Sequence, residues 1–249
     1  LAWEEHTITQ ILTSLDMEDR WRVVEHFAEY GAFRREAVES RTRCLVETEL
    51  SPRLAGYRPV ALDDTKCHRT SKGVWGVCTF HEPAGRSPNR ASTVRAHNWV
   101  VAGDLVPGTP WTYLPHTARL YFRKSQLPPG EAFAKKTESA VAMLREADSD
   151  SPVPILAVFD GAYANRTVIG PCLDAGKGRR IDVVTRLRCD ARLYKPLPEV
   201  PVRGPGRPRK WGEPLPAPED HGRWGVRWQS GKAYVYGRER TFQIGRAHV

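Results

Sequence analysis

Residues 154–160 read PILAVFD, and residues 57–64 read YRPVALDD. The first stretch is an almost wholly apolar run that ends in Asp160, which is typical of a central strand covered on both faces. The second is a short apolar strand that ends in Asp63 and Asp64. Strand ends present their side chains to a crevice of the sheet. If the two strands are neighbours, Asp64 and Asp160 converge there.

The segments between and after these two stretches complete a sheet. Strand-like patterns occur in GVWGVCTF (73–80), HNWVVAGDLV (97–106) and ARLYFRK (118–124), and such consecutive strands predict an antiparallel meander. Residues 131–147 have the spacing of an amphipathic helix. After PILAVFD, a short helix over 163–175, interrupted near Pro171, and the strand IDVVTRL follow. This order predicts an α/β fold with a mixed sheet flanked by helices.

Two regions flank this predicted core, which spans residues 56–242. Residues 1–55 form a helical lead-in, with Asp16 as an N-cap and Gly31 as a stop, and we expect it to pack on the sheet. Contact with DNA or a second protomer is the alternative, so a homodimer is considered. Residues 196–225 hold eight of the chain's 20 prolines, which predicts a Pro/Gly-rich basic insertion. A hairpin follows, with its second strand at about 233–242.

Composition favours a cytoplasmic protein that binds nucleic acid. With 40% hydrophobic residues the 249-residue chain can bury a core, and 38 Lys and Arg against 29 Asp and Glu give a charge of +9.

Five scattered cysteines predict neither disulfides nor a zinc ribbon, and Cys78 is expected to be a buried thiol instead of a zinc ligand. There is no apolar run of the ~20 residues that span a membrane. The acids of LAWEEHTITQ are unlike a signal peptide.

Both ends of the chain suggest a truncated fragment. The chain opens at Leu1 instead of Met, so upstream sequence is expected to be missing. The last seven residues, QIGRAHV, are what the codons CAG ATC GGA AGA GCA CAC GTC encode, which matches a sequencing-adapter read-through. Residues 243–249 are therefore interpreted as a non-native tail and excluded from functional reasoning.

The placement of the carboxylates suggests metal-dependent phosphodiester chemistry. Asp64 and Asp160 follow the two best-defined strands. Carboxylate oxygens are the ligands that hard divalent cations prefer. Two such ions about 3.5–4 Å apart activate an attacking water or hydroxyl and stabilise the leaving oxygen. The alternative is that each Asp only forms a turn or caps a helix.

Three strings, VALDDTK, VFDGAYAN and VVTRLRCDARLYKP, occur in this order. In order and separation they resemble the DDE transposases of bacterial insertion sequences, over roughly residues 57–242. The resemblance is in particular to the cut-and-paste group of these transposases. In that group the first acid lies in a D-D-T or E-D-T triplet and the second lies in D-x-x-Y. The resemblance implies an RNase H-like fold, with Asp64, which precedes Thr65, as first metal ligand, Asp160 as second and Asp63 as alternate. It also implies two Mg²⁺ (or Mn²⁺) ions and DNA cleavage and strand transfer at element ends.

The family's third acid, a Glu on a downstream helix, has no good counterpart. Glu239 lies in the strand-like YGRERTF and is a poor substitute. We therefore expect this chain alone to be inactive, because a metal site without one anionic ligand holds its cations more weakly. Two alternatives remain open: a non-catalytic basic DNA-binding protein of the same fold, and an RNase H-like nuclease without strand transfer.

Basic residues predict the DNA-binding surface. RGPGRPRK (203–210) has the G-R-P core of an AT-hook-like element, which can lie in a narrow minor groove. The alternative is a basic proline-rich linker. Arg186 and Arg188 follow the last core strand, where guanidinium groups can hold phosphates, although ordinary solvated charge is equally compatible. The predicted DNA-binding residues are Arg186, Arg188, Arg203, Arg207, Arg209 and Lys210.

Overall fold

A six-stranded mixed sheet forms the centre of the computed structural model, which describes residues 8–71, 73–81, 93–174, 181–186, 190–195, 197, 211–225, 227–235 and 238–245. The strands are β1 (Arg58–His68), β2 (Cys78–His81), β3 (Thr93–Val106), β4 (Thr112–Tyr121), β5 (Ile155–Phe159) and β6 (Asp182–Thr185). Their order is β2-β3-β1-β5-β6, and β4 also pairs with β3.

Strand directions match those expected of an RNase H-like core. β1 is antiparallel to β3 and parallel to β5, which is parallel to β6. β3 is long enough to pair with β2 near its start and with β4 along the rest of its length. The predicted mixed sheet, which begins with an antiparallel meander and continues with parallel strands, is confirmed.

The main core lies between one face of the sheet and two helices, α4 (Lys136–Ser149) and α5 (Arg166–Leu173). Alternate residues of β1 and β5 point into it because side chains in a strand alternate between faces. Met143 and Leu144 of α4 are fully buried against this face. Burial of such a side chain contributes about 1.5–3 kcal/mol. The core strands contribute Val60, Leu62, Val100, Ala102, Ile155, Ala157 and Phe159.

The N-terminal region folds as three helices, α1 (Ile8–Ser14), α2 (Trp21–Tyr30) and α3 (Arg35–Glu49). α3 packs on the sheet as predicted, since Glu39 accepts a hydrogen bond from Arg119 (2.5 Å) and Arg43 donates to Thr117 (2.8 Å). Gly31 ends α2, with its N–H donating to the Phe27 carbonyl.

The prediction that Asp16 is an N-cap is wrong. Asp16 has a positive φ of 57°, and a 3-10 turn over Glu18–Arg20 separates it from α2. Met17 and Arg20 are the cap residues instead, and neither makes a side-chain capping bond.

Several strand boundaries also differ from expectation. β1 continues to His68, because β3 pairs with it well beyond Asp64, so the two acids lie within the strand and not at its end. β2 is shorter than GVWGVCTF, since the chain turns at Gly76 (φ 77°) before it. β7 (Trp228–Val235) and β8 (Arg238–Gly245) form a separate two-stranded sheet. The predicted second strand therefore begins too early, and the observed one extends past residue 242.

The remaining expectations concern loops, cysteines and membranes. Within residues 211–225 the structure contains a 3-10 turn over Pro218–Arg223 and a β-bridge between Tyr194 and Pro214, consistent with the predicted loop. Cys78 is a buried free thiol, as predicted, and accepts a hydrogen bond from the Arg123 amide. Among the described residues, none of the helices combines the length and the hydropathy that a membrane crossing requires.

A buried ion pair joins β1 to β3 beneath α3. Arg58 donates to both carboxylate oxygens of Asp104, at 2.6 and 2.7 Å, and both side chains are fully buried. His116 of β4 lies beside them, with Nε2 3.8 Å from Asp104 and Nδ1 2.9 Å from the Thr117 hydroxyl. Burial lowers the pKa of His116 to about 4, although the negative charge of Asp104 partly opposes this decrease.

This depressed pKa predicts that stability falls in mild acid. Below pH 6.5 the unfolded chain protonates His116 while the folded chain does not, so protons favour unfolding until about pH 4. We expect His116 to contribute a loss of about 3 kcal/mol in the free energy of unfolding across this range. Urea unfolding between pH 4 and 7 measures it. His116→Gln should flatten the pH dependence, and an unchanged slope in this variant would refute the assignment.

Candidate metal centre

The centre forms where β5 stops beside β1. The two strands pair in register from Arg58 opposite Ile155 to Leu62 opposite Phe159. β5 ends at Phe159, whereas β1 continues. The next register position has Asp63 on β1 and Asp160 in the turn after β5. The two strands predicted to be neighbours are thus paired, and both Asp64, predicted as the first ligand, and Asp63, its alternate, lie on β1 at this edge.

Asp63 is an exposed carboxylate whose electrostatics are coupled to Asp160. Its Oδ1 accepts a hydrogen bond from the Asp64 amide at 2.8 Å. Partial desolvation raises the pKa of Asp63, and the charges of Asp160 and then Asp64 raise it further. The amide hydrogen bond and the Lys136 ammonium oppose this increase. The negative charges of Asp63 and Asp160 therefore act on each other, and a bound cation would offset this repulsion.

Asp160 is held by the turn that follows β5. Its Oδ1 accepts from the Ala162 amide at 2.9 Å, and its backbone carbonyl accepts from the Thr185 hydroxyl of β6 at 3.1 Å. The turn leads into α5, where Asn165 is the N-cap and accepts from the Thr167 amide. The Ala162 amide thus holds the side chain of the exposed Asp160, and Thr185 holds its backbone.

Asp64 has a different environment from its neighbour. Its Oδ2 lies 2.6 Å from Nζ of Lys136, the first residue of α4, and its Oδ1 accepts from the Tyr163 hydroxyl at 3.3 Å. The Asp64 side chain is only 22% exposed. Burial raises the pKa of the Tyr163 phenol, and the charge of Asp64 raises it further, so Tyr163 remains a donor. Each oxygen of Asp64 thus has one partner within the protein.

The donor set fits a divalent cation. Asp63 and Asp160 supply exposed carboxylate oxygens at adjacent positions, which is the chemistry that Mg²⁺ and Mn²⁺ prefer. Within the described ranges, no three or more His, Cys, Asp or Glu residues are grouped to hold a metal ion. Glu239 lies on β8, where it pairs with Lys232 at 3.0 Å.

A family model described as DDE superfamily endonuclease matches residues 1–243. The chain belongs to the DDE superfamily endonucleases. The predicted membership of the DDE endonuclease superfamily is thus confirmed, and the chain is assigned to an endonuclease class of enzymes.

One solved structure is similar to this chain. A Mos1 transposase, in a structure titled as a paired-end complex with the left transposon end, matches at 14% identity with a TM-score of 0.28. The match covers 72% of this chain and 54% of that chain, so the DDE chain spans about half the length of the solved protein. A search of curated proteins gave no match.

Of the predicted DNA-binding residues, the structure describes only one. Arg186 is exposed and directly follows β6, which pairs with β5 beside the Asp160 turn. The other predicted residues lie outside the described residues: Arg188, Arg203, Arg207, Arg209 and Lys210.

Two residues beside Asp63 and Asp64 could not be found from the sequence. Lys136 was not singled out, because a lysine at the start of an amphipathic helix carries no local signal of a distant partner. Tyr113 of β4 was also missed. Burial raises the pKa of Tyr113 to about 12, and the negative charges of Asp63 and then Asp104 raise it further. Gly103 permits this position, since a Cβ there would lie 2.6 Å from the Tyr113 ring.

Proposed function

We propose that this DDE endonuclease is a DNA transposase that uses two Mg²⁺ ions, replaceable by Mn²⁺, to cleave and transfer strands at the ends of an insertion sequence. The observation that supports this most is the register of β1 and β5, which brings Asp63 and Asp160 to the same position at the edge of the parallel pair. The family supports metal-dependent nuclease chemistry. The proposal goes beyond the family in naming insertion-sequence ends as the substrate and strand transfer as part of the reaction.

Within this proposal, Asp63 and Asp160 are the metal ligands. Asp64, the first choice from the sequence, is assigned a supporting role because its two oxygens pair with Lys136 and Tyr163 and its side chain is only 22% exposed. Burial raises the pKa of Asp63 and the charge of Asp160 raises it further, which is consistent with a site that takes a cation. Bound cations would activate the attacking water or hydroxyl and stabilise the leaving oxygen of the phosphodiester.

DNA is the proposed partner, as the charge of +9 favours. Arg186, exposed beyond β6, is proposed to contact backbone phosphates near Asp160. The same role is proposed for Arg188 and for the basic segment 203–210.

We place the protein's action on DNA in the bacterial cytoplasm. A homodimer is included in the proposal, because α2 exposes the apolar side chains of Val23, Phe27 and Tyr30.

A product assay tests the proposal. The full-length protein is incubated with Mg²⁺ or Mn²⁺ and a plasmid that carries the DNA flanking its gene, together with a second plasmid as target. We expect metal-dependent breaks at the element ends and covalent joining of the freed ends to the target. Breaks without joining would support the RNase H-like nuclease instead. DNA binding without breaks would support the non-catalytic DNA-binding protein.

A further inference from the structure

Lys136 extends from the start of α4 to the metal centre. Besides its 2.6 Å contact with Asp64, its ammonium lies 5.4 Å from the centre of the Tyr121 ring on β4. Elements on two sides thus hold the end of a side chain that is flexible in solution. The Lys136 side chain is still 29% exposed, so it reaches solvent as well as Asp64.

The anchor of Lys136 is itself rigid. Asp64 lies on β1, which pairs with β3 over this region, and its second oxygen accepts from Tyr163. Tyr163 is 2% exposed and packs edge-on against Phe159, with 6.3 Å between the ring centres. Core packing therefore fixes the phenol, the phenol fixes the carboxylate, and the carboxylate fixes the ammonium.

We infer that Lys136 binds a phosphodiester oxygen of the DNA strand at the metal centre, and that Asp64 and Tyr163 are positioning residues for its ammonium. The inference rests on the proposed function for the identity of the substrate. An ammonium has three N–H donors, and the bond to Asp64 uses one of them. Lys136 also acts electrostatically on Asp63, so its charge lies beside the proposed ligands. The N-terminus of the 14-residue α4 adds positive potential at the same place.

Salt-dependent DNA binding tests this inference without requiring cleavage. The probe is a fluorescent duplex of the DNA flanking the gene, titrated with full-length protein in EDTA at several salt concentrations. Lys136→Met should make the slope of log K against log salt shallower by ~0.9, the value for one lost phosphate contact to duplex DNA. Lys136→Arg should keep the slope, because it keeps the charge. Lys135→Met is the matched control, since Lys135 is a 65% exposed neighbour that pairs with Glu138.

Two more variants test the positioning role. Asp64→Asn should weaken DNA binding although it removes a negative charge, because the ammonium loses its anchor. The double variant Asp64→Asn with Lys136→Met should bind no more weakly than Lys136→Met alone. Tyr163→Phe should have a smaller effect in the same direction as Asp64→Asn.

Specific outcomes would overturn the inference. An unchanged slope in Lys136→Met, or an equal change in Lys135→Met, would make Lys136 a structural ion pair. Tighter Mn²⁺ binding by Lys136→Met, with an unchanged slope, would make Lys136 a competitor of the cation. A wild-type protein that binds DNA but does not cleave it would contradict the proposed function alone, since the slope comparison would still apply.

Discussion

Replacing Asp160 by Asn is expected to abolish DNA cleavage by the full-length protein. The amide keeps the size of the side chain and removes the negative charge that a divalent cation requires. Metal ions supply several kcal/mol of transition-state stabilisation, so we expect a loss of roughly 10³-fold or more in the cleavage rate. Single-turnover cleavage of an end-labelled duplex in Mg²⁺ measures this loss.

The matched controls separate chemistry from binding and folding. Asp160→Asn should bind DNA as the wild type does, and Asp63→Asn should lose cleavage to the same extent. Asp64→Asn should lose only ~10–100-fold, as is typical when a supporting residue is removed from a metal site. Cleavage that survives in Asp160→Asn would remove this residue from the reaction.

The second large effect is expected from Arg58→Met, which should destabilise the fold by about 3–5 kcal/mol. The substitution leaves the buried Asp104 carboxylate without its two hydrogen bonds from Arg58. Such an unpaired buried charge costs more than the apolar side chain gains. Urea unfolding of the variant and the wild type at pH 7 measures the change in the free energy of unfolding. The comparison uses the same dependence of that free energy on urea concentration for both proteins.

A double variant tests whether the unpaired charge is the cause. Arg58→Met combined with Asp104→Leu should be more stable than Arg58→Met alone, because neither charge is then left buried without a partner. If the double variant loses as much as the sum of the two single variants, the cost comes from packing and not from the ion pair.

Much of the fold could be predicted from local sequence. PILAVFD gives β5 because a short apolar run bounded by Pro and Asp suits a strand covered on both faces. The helix over 131–147 and the strands at 97–106 and 118–124 follow from their periodicity, with errors at their ends. Those ends depend on partners elsewhere in the chain. β1 extends to His68 only because the long β3 pairs with it.

The metal centre could be predicted only in part. The sequence places acids on both strands, but the choice between Asp63 and Asp64 depends on the register of β1 against β5. A shift of one residue moves a side chain to the other face of a sheet, and no local pattern fixes that register. The contact between Asp64 and Lys136 joins residues 72 positions apart and depends on where α4 begins. Both features follow from tertiary packing.

Mn²⁺ binding to the Asp variants tests the central claim most directly, namely that Asp63 and Asp160 hold the cation together. Free Mn²⁺ is followed by its paramagnetic resonance signal as protein is added, for the wild type, Asp63→Asn, Asp160→Asn and Asp64→Asn. We predict that the first two variants weaken Mn²⁺ binding by roughly 10-fold or more and that Asp64→Asn stays much closer to the wild type. Loss of binding in Asp64→Asn with unchanged binding in Asp63→Asn would contradict the assignment.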